Sequence, residues 1–318
     1  MHATAAAEMQ RATPDGQKLD AHPQGGSVTH VSVSPDGELF ATCGQHGHMA
    51  LWHSRTSLLV RTLQGYVAGQ HVFCHAWSPD GSQLATGDMS GSVTVWDVAT
   101  GAVEDSLQGH LHAVTSVAWS PDGRKLCSGS ACGAARVWEV ATGDVSQVLE
   151  DHNYMFSMAW SPDSTLVATG AVSKNVKVWD VATGVAFHVL KARIGGVKRV
   201  NSVAWSPLGN MLASAYDNHS VKAWDVATGT AIHTLRGHTR SVASVAWSPD
   251  GRHLATGSLD TTVRVWDVNT GSSVRVIGEM HGECVRSVAW SPCGSLLLTS
   301  TNVAVHVYNV TENQIAAT

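Results

Sequence analysis

The residues best equipped for chemistry in this 318-residue chain are eighteen histidines and six cysteines. The densest histidine group is His46-Gly-His48, with His53 nearby and His30 on the preceding strand. His71 and His75 are four apart, so on a regular strand they share one face. Imidazoles grouped in this way could ligate zinc. Zinc, however, draws roughly three or four converging ligands with a supporting shell, and neither a cysteine nor a carboxylate completes these spacings. The cysteines, Cys43, Cys74, Cys127, Cys132, Cys284 and Cys293, form no C-x-x-C clip and share no pairing pattern, which reads as a reduced protein of the cytoplasm or nucleus. Catalytic signatures are missing too: there is no Gly-x-Ser-x-Gly elbow, no phosphate-cradling glycine loop and no His-Glu-x-x-His helix. No catalytic residue, metal or other cofactor is therefore assigned.

The elements that position these side chains are set by a repeat. All twelve tryptophans fall at two places in a unit that recurs seven times. Six lie in Trp-Ser-Pro, at Trp77, Trp119, Trp160, Trp205, Trp247 and Trp290; the others, Trp52, Trp96, Trp138, Trp179, Trp224 and Trp266, end runs such as Val-Arg-Val-Trp. Where both are present they are 19 residues apart, and successive units start 41 to 45 residues apart. In the first unit Val33 replaces the first tryptophan, and in the last Tyr308 replaces the second. Self-similarity at this period marks a stacked or radial array and outranks any local motif.

Composition agrees. Hydrophobic residues make up 43% and charged residues only 14%, a strand-rich and turn-rich balance. The formal charge of −5 offers no bulk attraction to nucleic acid or anionic lipid. No apolar run approaches the roughly 18 residues of a membrane span. The stretch Met1 to Gln10 lacks the apolar run of a secretion signal.

The sixth unit reads most cleanly. Ser244-Val-Ala-Trp-Ser248 alternates as a half-buried strand does, and Pro249-Asp250-Gly251 supplies turn chemistry. Second, third and fourth strands follow at His253 to Ser258, Val263 to Trp266 and Val274 to Ile277. One such sheet is too small to be stable alone. Seven could stack linearly or close into a ring.

The Gly-His pairs (Gly109-His110, Gly237-His238), the Trp-Asp pairs (Trp96-Asp97, Trp179-Asp180, Trp224-Asp225, Trp266-Asp267) and the Ser-Pro-Asp-Gly turns resemble the WD-repeat β-propeller family over essentially the whole chain. That resemblance implies an all-β fold, a single seven-bladed β-propeller with four antiparallel strands per blade around a central channel. Residues 1–12 are read as a flexible tail and 13–318 as the propeller. After Tyr308 the chain lacks the apolar residue of a fourth strand, while Thr13-Pro-Asp-Gly-Gln-Lys-Leu19 mimics the start of one. The N-terminal segment near Leu19 is thus expected to complete the last blade. In this family the His of Gly-His, a Ser or Thr, a turn Asp and the third-strand Trp form a hydrogen-bonded set. By that resemblance the structural residues are His238, Thr256, Asp260 and Trp266, the one full complement. Elsewhere the turn Asp becomes His46, Ser90, Cys132, Ser173, Asn218 or Asn302, so most blades must satisfy buried polar groups in another way.

If shared residues build the ring, those that break the pattern carry specificity. The family's partners often dock on the face formed by the loops into each first strand and the turn after the second. At those positions the sixth blade has Ser241, Ala243 and Leu259, and the third has Ala113, Thr115 and Ala131. The second instead has His71, Phe73 and Met89, and the fourth Tyr154, Phe156 and Val172. Two aromatic walls flanking a blade of small residues would make a concave apolar site. The connection Lys191 to Arg199 adds Lys191, Arg193, Lys198 and Arg199 without an acid, and Arg286 marks the seventh blade. This positive rim suits an acidic or phosphorylated segment. The expected function is a non-catalytic scaffold or adaptor that docks a peptide or loop of another protein. The alternative is a small-ligand or enzymatic propeller using the channel mouth. Nucleic-acid binding would need a basic stripe wider than residues 191–199, and no membrane partner is expected.

Overall fold

The structure is a computed structural model that describes residues 17–20, 27–44, 47, 49–63, 71–151, 153–192, 195, 199–278 and 282–310. The tail expected over residues 1–12 lies outside them. The strands form seven sheets of four, and the first strands of successive blades pack in a circuit that returns from blade 7 to blade 1. In six sheets the strand order follows the chain. In blade 7 the strand Gln17–Asp20 pairs antiparallel with Ala304–Asn309, Leu19 opposite Val305, so the N-terminal segment closes the ring as expected. Among the described residues no helix is long and apolar enough to cross a membrane.

Blade 6 shows why these residues fold this way. Its strands are Val242–Trp247, His253–Ser258, Val263–Asp267 and Ser273–Ile277. The turn between the first two is set by its residue types: the Gly251 N–H returns to the Ser248 carbonyl at 2.9 Å, and Gly251 has φ 71°, where a Cβ would be strained. Every residue from Leu254 to Ser258 is buried, because the second strand is covered on both faces by the neighbouring blades. The outermost strand is exposed or half-buried apart from Ile277.

The core accordingly lies between blades. In one cluster Ala213, Ala215, Val221 and Leu235 of blade 5 meet Val242, Val245, Trp247 and Leu254 of blade 6. In another, Val28, Val31 and Phe40 of blade 1 meet Leu298, Val305 and Val307 of blade 7, with Leu19 packed against them. Burying one indole stabilises by at most roughly 4–6 kcal/mol. The third-strand tryptophans and three of the six first-strand ones are also hydrogen-bonded. All six third-strand indoles donate Nε1–H to a Thr or Ser hydroxyl of the second strand at 2.7–3.0 Å. First-strand indoles reach across instead: Trp160, Trp205 and Trp247 donate to the carbonyls of Ala118, Ala159 and Ala204 in the preceding blade. The third-strand set rivets each blade, and these three first-strand indoles join a blade to its neighbour.

Candidate functional site

A backbone irregularity positions the candidate site. In blades 1 to 6 the first strand bulges at one point, between Val28 and His30, Val72 and Cys74, Val114 and Ser116, Met155 and Ser157, Val200 and Ser202, and Val242 and Ser244. The extra residue is Thr29, Phe73, Thr115, Phe156, Asn201 or Ala243. A bulged residue leaves the ladder and its side chain is re-aimed. Here the bulges aim at the channel mouth. Phe73, Thr115, Phe156, Asn201 and Ala243 line its opening, about 290 Å³, together with Arg286 from blade 7. Thr29, Phe156, Asn201, Ala243 and Arg286 also line a wider hollow of about 440 Å³ over blades 4 to 7 and 1, with Arg199 and Asn302.

Just below the mouth, the wall holds the blades together. Ser116, Ser157, Ser202 and Ser244 each accept a backbone N–H from the next blade, those of Met158, Val203, Val245 and Val288, at 2.9–3.3 Å. Blades 1 and 2 depart from this ladder, with His30 and Cys74 in the serine places. His30 Nδ1 lies 3.3 Å from Nδ1 of buried His75, the rings edge to face. The shared face expected for His71 and His75 is therefore corrected. The bulge inserts one residue between them and breaks the alternation, so His71 stacks on Phe73 at 6.3 Å while His75 turns inward. His53 lies near Glu38, and His46 and His48 lie outside the described residues. Among the described residues no three histidines, cysteines or acids converge on a point that could hold a metal ion.

The aromatic side of the mouth comes from blades 2 and 4. Met89 N–H bonds the His71 carbonyl and Val172 N–H bonds that of Tyr154, so each blade presents its three residues as one group. Tyr154 and Phe156 rings lie 4.9 Å apart, and Phe73, Met89, Tyr154 and Val172 are all exposed. Between them Thr115 is held down by bonds to the carbonyls of Gly129 and Met155. The cationic side begins where the Arg199 guanidinium sits 5.2 Å from the Phe156 ring centre, a cation–π contact. Arg286 donates Nε–H to Asn302 Oδ1 at 3.0 Å. No carboxylate lines either hollow among the described residues, although Asp217 accepts the Arg199 N–H at 3.4 Å on the adjoining turn. Lys191 is exposed on the outer strand of blade 4 and lines neither hollow; Arg193 and Lys198 lie outside the described residues. Sequence reasoning passed over Asn201 and Thr29, although both sit four residues before the first-strand Trp or its substitute, as Phe73 and Phe156 do. It also passed over Leu111, 87% exposed in the loop into blade 3.

The set His238, Thr256, Asp260 and Trp266 forms a continuous chain of bonds away from the mouth. His238 Nε2 lies 2.8 Å from Thr256 Oγ1, which also accepts the Trp266 N–H, and Nδ1 lies 2.9 Å from Asp260 Oδ2. Burial would raise the Asp260 carboxyl, but bonds from Thr262, the Thr239 N–H and His238 outweigh it and hold it at about 2. Burial lowers His238 despite that carboxylate, which favours the neutral imidazole. Blade 4 meets the same need differently: Asp151 stands in the histidine place, buried, and pairs with Lys177.

Comparison with known families supports the architecture along most of the chain. The family model described as WDR90, 4th beta-propeller matches residues 27–156, and that of the anaphase-promoting complex subunit 4 WD40 domain matches residues 158–241. The WD domain, G-beta repeat matches residues 229–267 and 271–302. No curated protein matches the chain.

Proposed function

Because the chain belongs to the WD-repeat β-propeller family, whose propellers are usually non-catalytic and bind other proteins, we propose that it is a scaffold or adaptor that docks a segment of a partner protein on the channel mouth. The observation that carries this reading is the ring of bulge positions. They share one place and one direction, yet hold two aromatics, a guanidinium at the matching place in blade 7, an amide, two threonines and an alanine. A purely structural ring has no need of that variety. Phe73 and Phe156, with Tyr154 and Met89, receive an apolar anchor in a setting where exposed aromatics are the usual hot spots. Arg286 and Arg199 receive an acidic or phosphorylated residue beside it, since guanidinium groups form paired, charge-assisted bonds to carboxylate and phosphate. The partner is thus an extended segment with an apolar residue flanked by acidic or phosphorylated ones. The setting is the cytoplasm or nucleus, where six unpaired cysteines stay reduced.

The test is affinity purification of partners with the wild type, with Phe73→Ala plus Phe156→Ala, and with Arg199→Ala plus Arg286→Ala, each checked for an unchanged melting temperature. The aromatic pair is expected to lose the partners, and the arginine pair to lose those whose binding depends on acidic or phosphorylated residues. A folded aromatic variant that keeps every wild-type partner overturns the reading and leaves a small ligand in the hydroxyl-lined channel as the better one.

A further inference from the structure

Blade 3 repeats the blade 6 arrangement with two parts exchanged, one of them Ala134 in the place of Thr262, whose Oγ1 lies 3.2 Å from His238 Nδ1. His110, Ser128 and Trp138 occupy the places of His238, Thr256 and Trp266, but Cys132 occupies that of Asp260. The two turns are built alike. The Asp260 N–H reaches Ser258 Oγ at 3.1 Å, and that hydroxyl donates to the carbonyls of Arg240 and Ser241. The Cys132 N–H reaches Ser130 Oγ at 3.4 Å, and that hydroxyl donates to the carbonyls of His112 and Ala113. Side chains 132 and 260 therefore leave the backbone at matching places.

What they leave for the histidine differs. His238 Nδ1 has the Asp260 carboxylate at 2.9 Å, whereas His110, only 7% exposed, has no hydrogen-bond partner at Nδ1. The proton can be placed. Ser128 Oγ accepts the Trp138 Nε1–H at 2.7 Å and, unlike Thr256, has no carbonyl to donate to among the described residues, so its own proton goes to His110 Nε2, also at 2.7 Å. A neutral imidazole that accepts at Nε2 carries its hydrogen at Nδ1. A buried donor is thus left unanswered where blade 6 supplies a carboxylate, while the exposed Cys132 thiol donates to Ser130 Oγ at 3.4 Å.

We propose that Cys132 is an oxidation site, converted by a hydroperoxide to the sulfenic and then the sulfinic acid, and that the sulfinate takes the carboxylate's role by accepting the His110 Nδ1–H. In the first step the thiol gives its proton to solvent and the sulfur attacks one peroxide oxygen. The S–O bond forms, the O–O bond breaks, and the departing hydroxide takes up a proton to leave as water. The sulfenate repeats the attack on a second hydroperoxide. Each step moves two electrons from sulfur to peroxide. The product bears, on the atom next to Cβ, two oxygens that share one negative charge, as aspartate does. The inference stands whether or not the channel mouth docks a protein.

The experiment uses the full chain with Cys284→Ser and Cys293→Ser, treated with hydrogen peroxide and followed by site-resolved mass spectrometry and thermal melting. Cys132 is expected to gain two oxygen atoms while the melting temperature rises by roughly 2–5 °C. Cys132→Asp is expected to reproduce the rise without oxidant, and His110→Leu to cancel it. Two results overturn the proposal: Cys132 staying unoxidised at a peroxide dose that oxidises free cysteine, or the oxidised protein and Cys132→Asp both melting no higher than the untreated chain.

Discussion

Two sets of positions recur around this ring with equal regularity and opposite chemistry. The third-strand position is tryptophan in blades 1 to 6, and it is buried or half-buried and bonded to a neighbouring hydroxyl in each. The bulge position in the same blades is Thr, Phe, Thr, Phe, Asn and Ala, and it faces the mouth. A constant residue in a constant place answers a need that all blades share, which is packing. A varying residue in a constant place answers something outside the ring.

The comparison breaks most visibly under truncation. Trp266→Ala is expected to cost about 3–5 kcal/mol, measured by urea unfolding, because it opens a cavity and removes the indole bond to Thr256. Phe156→Ala is expected to cost only about 0.5 kcal/mol. Equal losses would erase the distinction between the two sets.

The next effect is acid sensitivity in blade 3. Burial, with Arg136 adding its charge, lowers His110 from 6.5 to about 4. The unfolded chain then takes up the proton first, so this contribution is full above 6.5, declines as pH falls below it, and levels off near 4. The loss amounts to about 3 kcal/mol, and His110→Leu should flatten that part of a plot of unfolding midpoint against pH.

Asp260→Ala turns blade 6 toward the blade 3 arrangement and leaves His238 Nδ1 only Thr262 Oγ1, 3.2 Å away, at an expected cost of about 1–3 kcal/mol in the same unfolding measurement. The smallest effect is a gain. Thr261 is β-branched yet sits at φ 72° in the turn where blade 3 has Gly133, so Thr261→Gly should add about 0.5–1 kcal/mol of stability. A loss at this position would mean that the turn is held by something other than backbone preference.

The ring itself was legible because indoles at fixed intervals leave few alternatives, and even its closure could be read from Thr13 to Leu19. Phe73, Phe156 and Arg286 could be found by counting back from the first-strand Trp. The bulge could not. It has no residue signature, since Thr, Phe, Asn and Ala all occupy it, and its extra residue is what put His71 and His75 on different sides. Contacts across blades were equally hidden: Arg199 meets Phe156 from the next blade, and Asp151, not His152, stands nine residues before Trp160 to take up Lys177.

The most direct test of the recognition claim places a photoreactive amino acid at Phe73, Asn201 or Arg286 and, as a control, at exposed Thr230 on the outer strand of blade 5, in the presence of a partner recovered by affinity purification. Crosslinks are expected from the three mouth positions and none from Thr230. Crosslinks from Thr230 with a silent mouth would contradict it.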